Sequence, residues 1–131
     1  MKSSGSLVDT SVWIDFFRGN PPVRALLEKL IVADRVFTAG PILYELLQGI
    51  KSPPEKKQVK EALLSTHYLD ITSNDWEGAA SLAAELRKAG VTIPMTDILI
   101  AYLAKKKNLE VISFDVHFDR IPELIHHRLQ G

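Results

Sequence analysis

Residues 7–17, with the sequence LVDTSVWIDFF, join a predicted buried strand to a predicted amphipathic helix. Leu7 and Val8 are apolar, and Thr10 is followed by a second hydroxyl residue, as is common where a helix begins. Apolar residues then recur four positions apart, which is typical of one face of a helix. Asp9 is therefore predicted to lie at the carboxyl end of a strand, where α/β folds build their sites.

The composition is that of a globular domain. The chain has 131 residues, of which 46% are hydrophobic and 24% are charged, and this length is sufficient for a hydrophobic core. The absence of cysteine excludes disulfides and thiolate metal sites and is compatible with the cytoplasm, the compartment that we expect. The 16 basic and 16 acidic residues cancel, which is not the charge balance of a general nucleic-acid binder. No apolar run has the length of a membrane span.

Short apolar runs alternate with amphipathic segments along the rest of the chain. This alternation predicts an α/β fold, a three-layer α/β/α sandwich with a parallel central sheet. Residues 7–131 are predicted to form one domain, and residues 1–6 a flexible N-terminal lead-in without the hydrophobic core of a signal peptide. Residues 98–104 are apolar on nearly all sides, which predicts a buried helix. Thr72 and Asp75 have the spacing of a capping box, so Asp75 is interpreted as structural.

Four acidic residues are predicted to lie at one edge of this sheet. Asp9 and Asp115 each follow a strand, Asp97 opens the buried helix, and Glu45 lies about one turn into a helix that begins at the same edge. Right-handed crossovers place all strand-to-helix junctions at one edge, so we expect these carboxylates to converge. Oxygen ligands suit Mg²⁺ or Mn²⁺. A metal bound there would activate water and stabilise charge on a phosphodiester.

Several hydroxyl and imidazole groups lie close to these acids in the sequence. We expect them to orient the acids or metal-bound water, and they are Thr10, Ser11, Thr96, Ser113 and His117. Each acid also has an ordinary structural interpretation, because Asp97 can serve simply to open a helix and Asp115 can serve as a turn residue. His126 and His127 are interpreted as surface residues.

Four motifs, in order, resemble the PIN-domain ribonucleases, and specifically the VapC-type toxins of bacterial and archaeal toxin–antitoxin pairs. The motifs are LVDTSVWI at residues 7–14, YELLQG at 44–49, TDILIA at 96–101 and ISFDVHF at 112–118. The resemblance extends from about Leu7 to Ile121. It implies a PIN-like α/β/α fold and metal-dependent endonucleolytic cleavage of RNA, with Mg²⁺ or Mn²⁺ at the acidic cluster.

The resemblance also implies which residues are metal ligands and catalytic acids. In chain order the matching positions are Asp9 for the first acid, Glu45 for the glutamate of a Glu-Leu-x-x-Gly pattern, Asp97 for the acid that opens the buried helix, and Asp115 for the acid after the last core strand. Thr10 and Ser113 match small hydroxyl positions. Where relatives often carry a further acid two residues after the fourth, this chain has His117.

Partners follow from the same resemblance. It implies a cognate VapB-like antitoxin, an RNA substrate and a homodimer, with no membrane association. Two alternatives remain: a PIN-domain nuclease that processes RNA without an antitoxin, which the chain length disfavours, and a non-catalytic receiver-like α/β binding module. A receiver needs an acidic pair after its first strand and a lysine after its fifth. Asp9 has no acidic neighbour and no lysine follows Phe114, so the receiver fits poorly.

Overall fold

The central feature of the computed structural model, which describes residues 3–130, is a parallel sheet of five strands. The strands are β1 (Ser6–Val8), β2 (Val36–Ala39), β3 (His67–Leu69), β4 (Glu110–Ser113) and β5 (His126–Arg128). Their order in the sheet is β3-β2-β1-β4-β5, and every neighbouring pair is parallel. The predicted parallel sheet is confirmed, and β1, which ends directly before Asp9, is its central strand.

The helices pack in two groups. They are α1 (Thr10–Phe17), α2 (Pro21–Val32), α3 (Gly40–Leu47), α4 (Pro53–Leu64), α5 (Ser73–Lys88) and α6 (Met95–Lys107), followed by a short 3₁₀ helix at Val116–Arg120. The chain moves outward from β1 to β3 and then returns across β1 to β4. Because parallel crossovers are right-handed, this reversal places α1 to α4 on one face and α5 and α6 on the other. The predicted α/β/α layering is confirmed.

Within residues 3–130, no helix has both the length and the apolarity to span a membrane.

Helix α6 is buried on nearly all sides, as predicted. It packs against α5 and β4, and its buried residues are Ile98, Leu99, Ile100, Ala101, Leu103 and Ala104. Each large apolar side chain buried in this way contributes about 1.5–3 kcal/mol to folding. Asn108 ends the helix with a left-handed φ of 56°. Because α6 is packed in the core, it holds Asp97, which lies in its first turn, in a fixed position.

Asp75 ties the start of α5 to the end of α6. The predicted capping box is present: Thr72 N–H donates to Asp75 Oδ2 at 2.9 Å, and Asp75 N–H donates to Thr72 Oγ1 at 3.2 Å. Lys106 Nζ donates to Asp75 Oδ1 at 2.6 Å. The hydrogen bond from Lys106, with further help from the Thr72 N–H, lowers the pKa of Asp75 to about 2. The interpretation of Asp75 as structural is confirmed.

Replacement of Asp75 by Asn is expected to make the free energy of unfolding depend less on pH in the acid range. Because the pKa of Asp75 falls from 3.8 to about 2 on folding, its ionised form stabilises the folded protein above about pH 4, and this contribution is lost as the pH falls through about 2. Asp75→Asn should therefore lower the free energy of unfolding at pH 7, and the difference from wild type should shrink between these pH values. Urea unfolding across this range measures the difference, with the exposed Asp70→Asn as a matched control. A difference that stays constant down to pH 2 would contradict this role.

Ser4 and Ser6, which lie within the predicted lead-in, contact the rest of the domain. Residues 1 and 2 of that lead-in, and residue 131 of the predicted domain, lie outside the described part. Ser4 N–H donates to the Asn108 carbonyl at 2.7 Å, and Ser6 is fully buried in β1. The hydrophobic pattern did not include Ser6 because its side chain is polar. In the structure, Ser6 Oγ donates to Glu110 Oε2 at 3.0 Å.

Candidate active site

Asp9 lies at the carboxyl edge of the sheet, between the segments of chain that follow strands β2 and β4. Asp9 N–H donates to the Ile112 carbonyl at 3.0 Å, which continues the ladder between β1 and β4. On the β4 side the chain continues to Asp115, and on the β2 side it enters α3, which carries Glu45. The chain reverses direction between β1 and β4, so this position is the switch point at which α/β sheets bind ligands.

Asp9 is a buried carboxylate held by serines. Only 6% of the residue is exposed, and its Oδ2 accepts from Ser113 Oγ at 2.8 Å and from Ser11 Oγ at 3.1 Å. Burial raises the pKa of Asp9, the serine hydrogen bonds oppose this rise, and the negative charge of Asp115 adds to it. The carboxylate is therefore fixed in orientation, and its ionised form is costly unless a cation lies nearby.

His117 lies between Asp97 and Asp115. Its Nδ1 is 3.1 Å from Asp97 Oδ2 and 3.2 Å from Asp115 Oδ1. The backbone N–H of His117 also donates to Asp115 Oδ1 at 2.9 Å, where the 3₁₀ helix begins. One ligand atom from each of these three residues lies within 4.8 Å of the others, a separation that one metal ion can bridge. The ring predicted to orient the acids thus contacts two of them directly.

The pKa of Asp97 is affected by the negative charges of Asp9 and Asp115. Burial raises the pKa of Asp97, the hydrogen bond with His117 opposes this rise, and the negative charges of Asp9 and Asp115 raise it further. Among residues 3–130, the ion pairs of Asp97 and Asp115 are formed with His117 and none is formed with a lysine or an arginine. The site thus concentrates negative charge on oxygen donors, and this donor set fits a hard divalent cation.

Glu45 is hydrogen-bonded to Thr10, the residue that follows Asp9 in the chain. Thr10 Oγ1 donates to Glu45 Oε1 at 2.8 Å, which links the first turn of α1 to α3. Within the described chain, the residues that offer ligand atoms within 4.8 Å of one another are Asp97, Asp115 and His117. Asp9 and Glu45 are not members of this group of three: the negative charge of Asp9 adds to the raised pKa of Asp97, and Glu45 is hydrogen-bonded to Thr10, the residue after Asp9.

A groove of about 440 Å³ begins at Glu45 and extends between α3 and the starts of α5 and α6. Its lining includes Tyr44, Glu45, Gln48, Trp76, Met95 and Thr96. Thr96, predicted to orient the acids, lines this groove instead, and it forms no hydrogen bond with an acid in the described part of the chain.

Tyr44 and Met95 are exposed on this groove, at 68% and 69%. Neither residue was among those predicted for the site. A signal was available for Tyr44, because this aromatic residue precedes Glu45 and falls outside the apolar stripe of its helix. Met95 carried no such signal, since it precedes the periodic part of α6.

A separate ion-paired group holds the last strand. His126 Nδ1 lies 2.7 Å from Asp119 Oδ1, and Arg128 Nη1 lies 3.3 Å from Asp119 Oδ2. The His126 side chain is only 4% exposed, so its interpretation as a surface residue was wrong: the ring packs near Phe118, which is buried. The His127 side chain is 47% exposed, as predicted.

The fold and the site together define a class of protein: a parallel α/β domain with converging acids at its switch point. The model of the PIN domain family matches residues 6–124, and the chain belongs to this family.

Named relatives agree with this assignment. The chain is 28% identical to Ribonuclease VapC19 of Mycobacterium tuberculosis over 121 residues, which cover 90% of this chain and 95% of that protein. Among solved structures, DNA-bound VapBC from Salmonella typhimurium aligns with a TM-score of 0.81 and 22% identity, over 95% of this chain and 97% of that one. A toxin–antitoxin complex from Klebsiella pneumoniae aligns with a TM-score of 0.78 and 21% identity, over 95% and 100%. The predicted family and fold are confirmed, and the names of these relatives agree with the predicted function.

Proposed function

We propose that this chain is a metal-dependent endoribonuclease and the toxin of a type II toxin–antitoxin pair. The observation that carries the proposal is the convergence of Asp9, Asp97 and Asp115, which come from three segments of the chain. The negative charge of Asp115 adds to the raised pKa values of Asp9 and Asp97. Membership in the PIN-domain family and similarity to a protein named Ribonuclease VapC19 support the same function.

Asp9, Asp97 and Asp115 would hold the divalent ion, Mg²⁺ or Mn²⁺, with Glu45 at its periphery. When bound, such an ion supplies Lewis acidity, which lowers the pKa of water and stabilises negative charge on a phosphodiester. Ser113 and Ser11 keep the Asp9 carboxylate in one orientation, and Thr10 does the same for Glu45. Ligands that are oriented in advance need little rearrangement before reaction.

The groove beside Glu45 is where we place the RNA next to the cleaved bond. RNA that is read by proteins in a single-stranded form commonly stacks its bases on exposed aromatic rings. Tyr44 and Trp76 supply such rings in the groove that Glu45 also lines. Since the whole chain carries no net formal charge, we expect local contacts of this kind to contribute more to RNA binding than a general positive field does.

We further propose a VapB-like antitoxin as partner, a homodimer as the assembly and the cytoplasm as the compartment. The support is the similarity to structures described as VapBC and as a toxin–antitoxin complex. Co-expression with the product of the neighbouring gene should give a stable complex that does not cleave RNA. A nuclease that processes RNA without an antitoxin would show cleavage that this product leaves unchanged.

Metal removal tests the enzymatic part of the proposal. Purified protein is expected to cleave RNA in Mn²⁺ or Mg²⁺, and EDTA should reduce the rate by at least about 100-fold, because every proposed ligand acts through the ion. Excess Mn²⁺ should restore the rate. Cleavage of a 5′-labelled RNA, with sequencing of the new ends, provides the measurement. Cleavage that is insensitive to chelation would contradict the proposal.

A further inference from the structure

An imidazole nitrogen lies among the proposed oxygen ligands. His117 Nδ1 faces Asp97 Oδ2 at 3.1 Å and Asp115 Oδ1 at 3.2 Å. Two ligand atoms at right angles on an octahedral ion, with bonds of about 2.1 Å, are about 3 Å apart. The two distances from Nδ1 match this separation, and the three ligand atoms lie within 4.8 Å of one another, so this group of side chains can hold one ion.

The local structure fixes His117 in this place. Its backbone N–H is bonded to Asp115 Oδ1 at 2.9 Å, and the next residue, Phe118, is 1% exposed and anchors the 3₁₀ helix in the core. The His117 side chain is 37% exposed. Without an ion, Nδ1 is the atom that faces the carboxylates, and an ion placed among these three side chains would replace the Nδ1 hydrogen bond by a bond to the Nδ1 lone pair.

We infer that His117 is a nitrogen ligand of the divalent ion and that it makes the site favour Mn²⁺ over Mg²⁺. The inference rests on the proposed metal-dependent function and extends it to the choice of metal. Imidazole is a good ligand for first-row transition ions, whereas Mg²⁺ prefers oxygen ligands and water. A site with three carboxylates alone would lack this preference. The alternative role of His117 is a hydrogen bond to the carboxylates without contact to the ion.

Pulsed electron paramagnetic resonance of the full chain loaded with Mn²⁺ distinguishes these roles. Direct coordination by an imidazole gives a ¹⁴N coupling to the Mn²⁺ spin. This coupling is expected in the wild type and in His127→Ala, and it should be lost in His117→Asp. His127 is a suitable control because it is also a partly exposed histidine close to a carboxylate, with Nδ1 3.4 Å from Glu110 Oε1.

Calorimetric titration with Mn²⁺ and with Mg²⁺ tests the selectivity. His117→Asp keeps a ligand at this position but replaces nitrogen by oxygen, so the ratio of Mn²⁺ to Mg²⁺ affinity should fall by about 10-fold or more. An unchanged ratio would overturn the selectivity. Bound Mn²⁺ without a ¹⁴N coupling would overturn the role of His117 and leave the proposed nuclease intact, whereas no binding of either ion would overturn both.

Discussion

Asp9→Asn is expected to reduce metal-dependent RNA cleavage by at least about 100-fold, more than the loss of a group that only orients a ligand. Asp9 is the acid at the end of the central strand, and Ser113 and Ser11 hold it in one orientation. Asparagine has almost the same shape and can still accept from both serines. The expected loss is therefore a loss of charge and of metal affinity, with the fold preserved.

The same substitution is expected to stabilise the metal-free protein. Because burial raises the pKa of Asp9 above its ordinary value of 3.8, the folded state binds this proton more tightly than the unfolded state does. The free energy of unfolding therefore falls as the pH rises from about 3.8 through the raised pKa, and it stays lower at neutral pH. Asparagine carries no charge and removes this cost, so catalysis and stability should change in opposite directions.

Cleavage assays and thermal unfolding in EDTA measure the two effects of Asp9→Asn on one preparation. Asp70→Asn, which changes an exposed aspartate outside the site, should leave cleavage unchanged. Cleavage retained by Asp9→Asn would contradict the assignment. A metal-free variant that is less stable than wild type at pH 7 would contradict the electrostatic account of Asp9.

Asp97→Asn is expected to weaken Mn²⁺ binding by at least about 10-fold and cleavage by about 100-fold. The Asp97 side chain is 14% exposed, lies in the first turn of the buried helix α6, and contacts His117. Its raised pKa reflects burial and the charges of Asp9 and Asp115. A divalent ion neutralises this repulsion, so removal of one charge lowers the affinity of the whole cluster.

Titration calorimetry with Mn²⁺ measures this effect, and circular dichroism checks that the variant remains folded. Asp97 also lies in the first turn of α6, where its negative charge interacts favourably with the helix dipole. A purely structural role therefore predicts no change in Mn²⁺ affinity in Asp97→Asn. Wild-type Mn²⁺ affinity in the folded variant would show that Asp97 is not a ligand.

The sequence predicted the architecture well because its strongest local patterns coincide with the core. The apolar pair Leu7-Val8 before hydroxyl residues correctly marked the junction of β1 and α1, and the continuous apolar run of residues 98–104 correctly marked the most buried helix. The capping box at Thr72 was also recognised. In each case the local preference and the tertiary environment favour the same structure.

The edge strand β5 and the contacts of individual side chains were harder to predict. Residues 126–128 are two histidines and an arginine, and hydrophobicity alone does not identify them as the strand β5. Edge strands are partly solvated and need no apolar pattern. The buried ring of His126 depends on a contact with Asp119, which sequence spacing does not specify.

The shared position of three predicted acids could be inferred from the sequence, but the contacts of their side chains could not. Chain topology brought Asp9, Asp97 and Asp115 to one edge, because this depends only on where strands end and helices begin. The position of His117 between two acids depends on the turn at Asp115, and Glu45 is held by a hydrogen bond from Thr10. Side-chain hydrogen bonds of this kind are set by the tertiary structure.

The most direct test of the central claim is an anomalous difference map from crystals grown with saturating Mn²⁺. We predict a manganese peak bonded to the carboxylates of Asp9, Asp97 and Asp115, and no such peak in Asp9→Asn. A map without manganese at these three residues in the wild type would contradict the account.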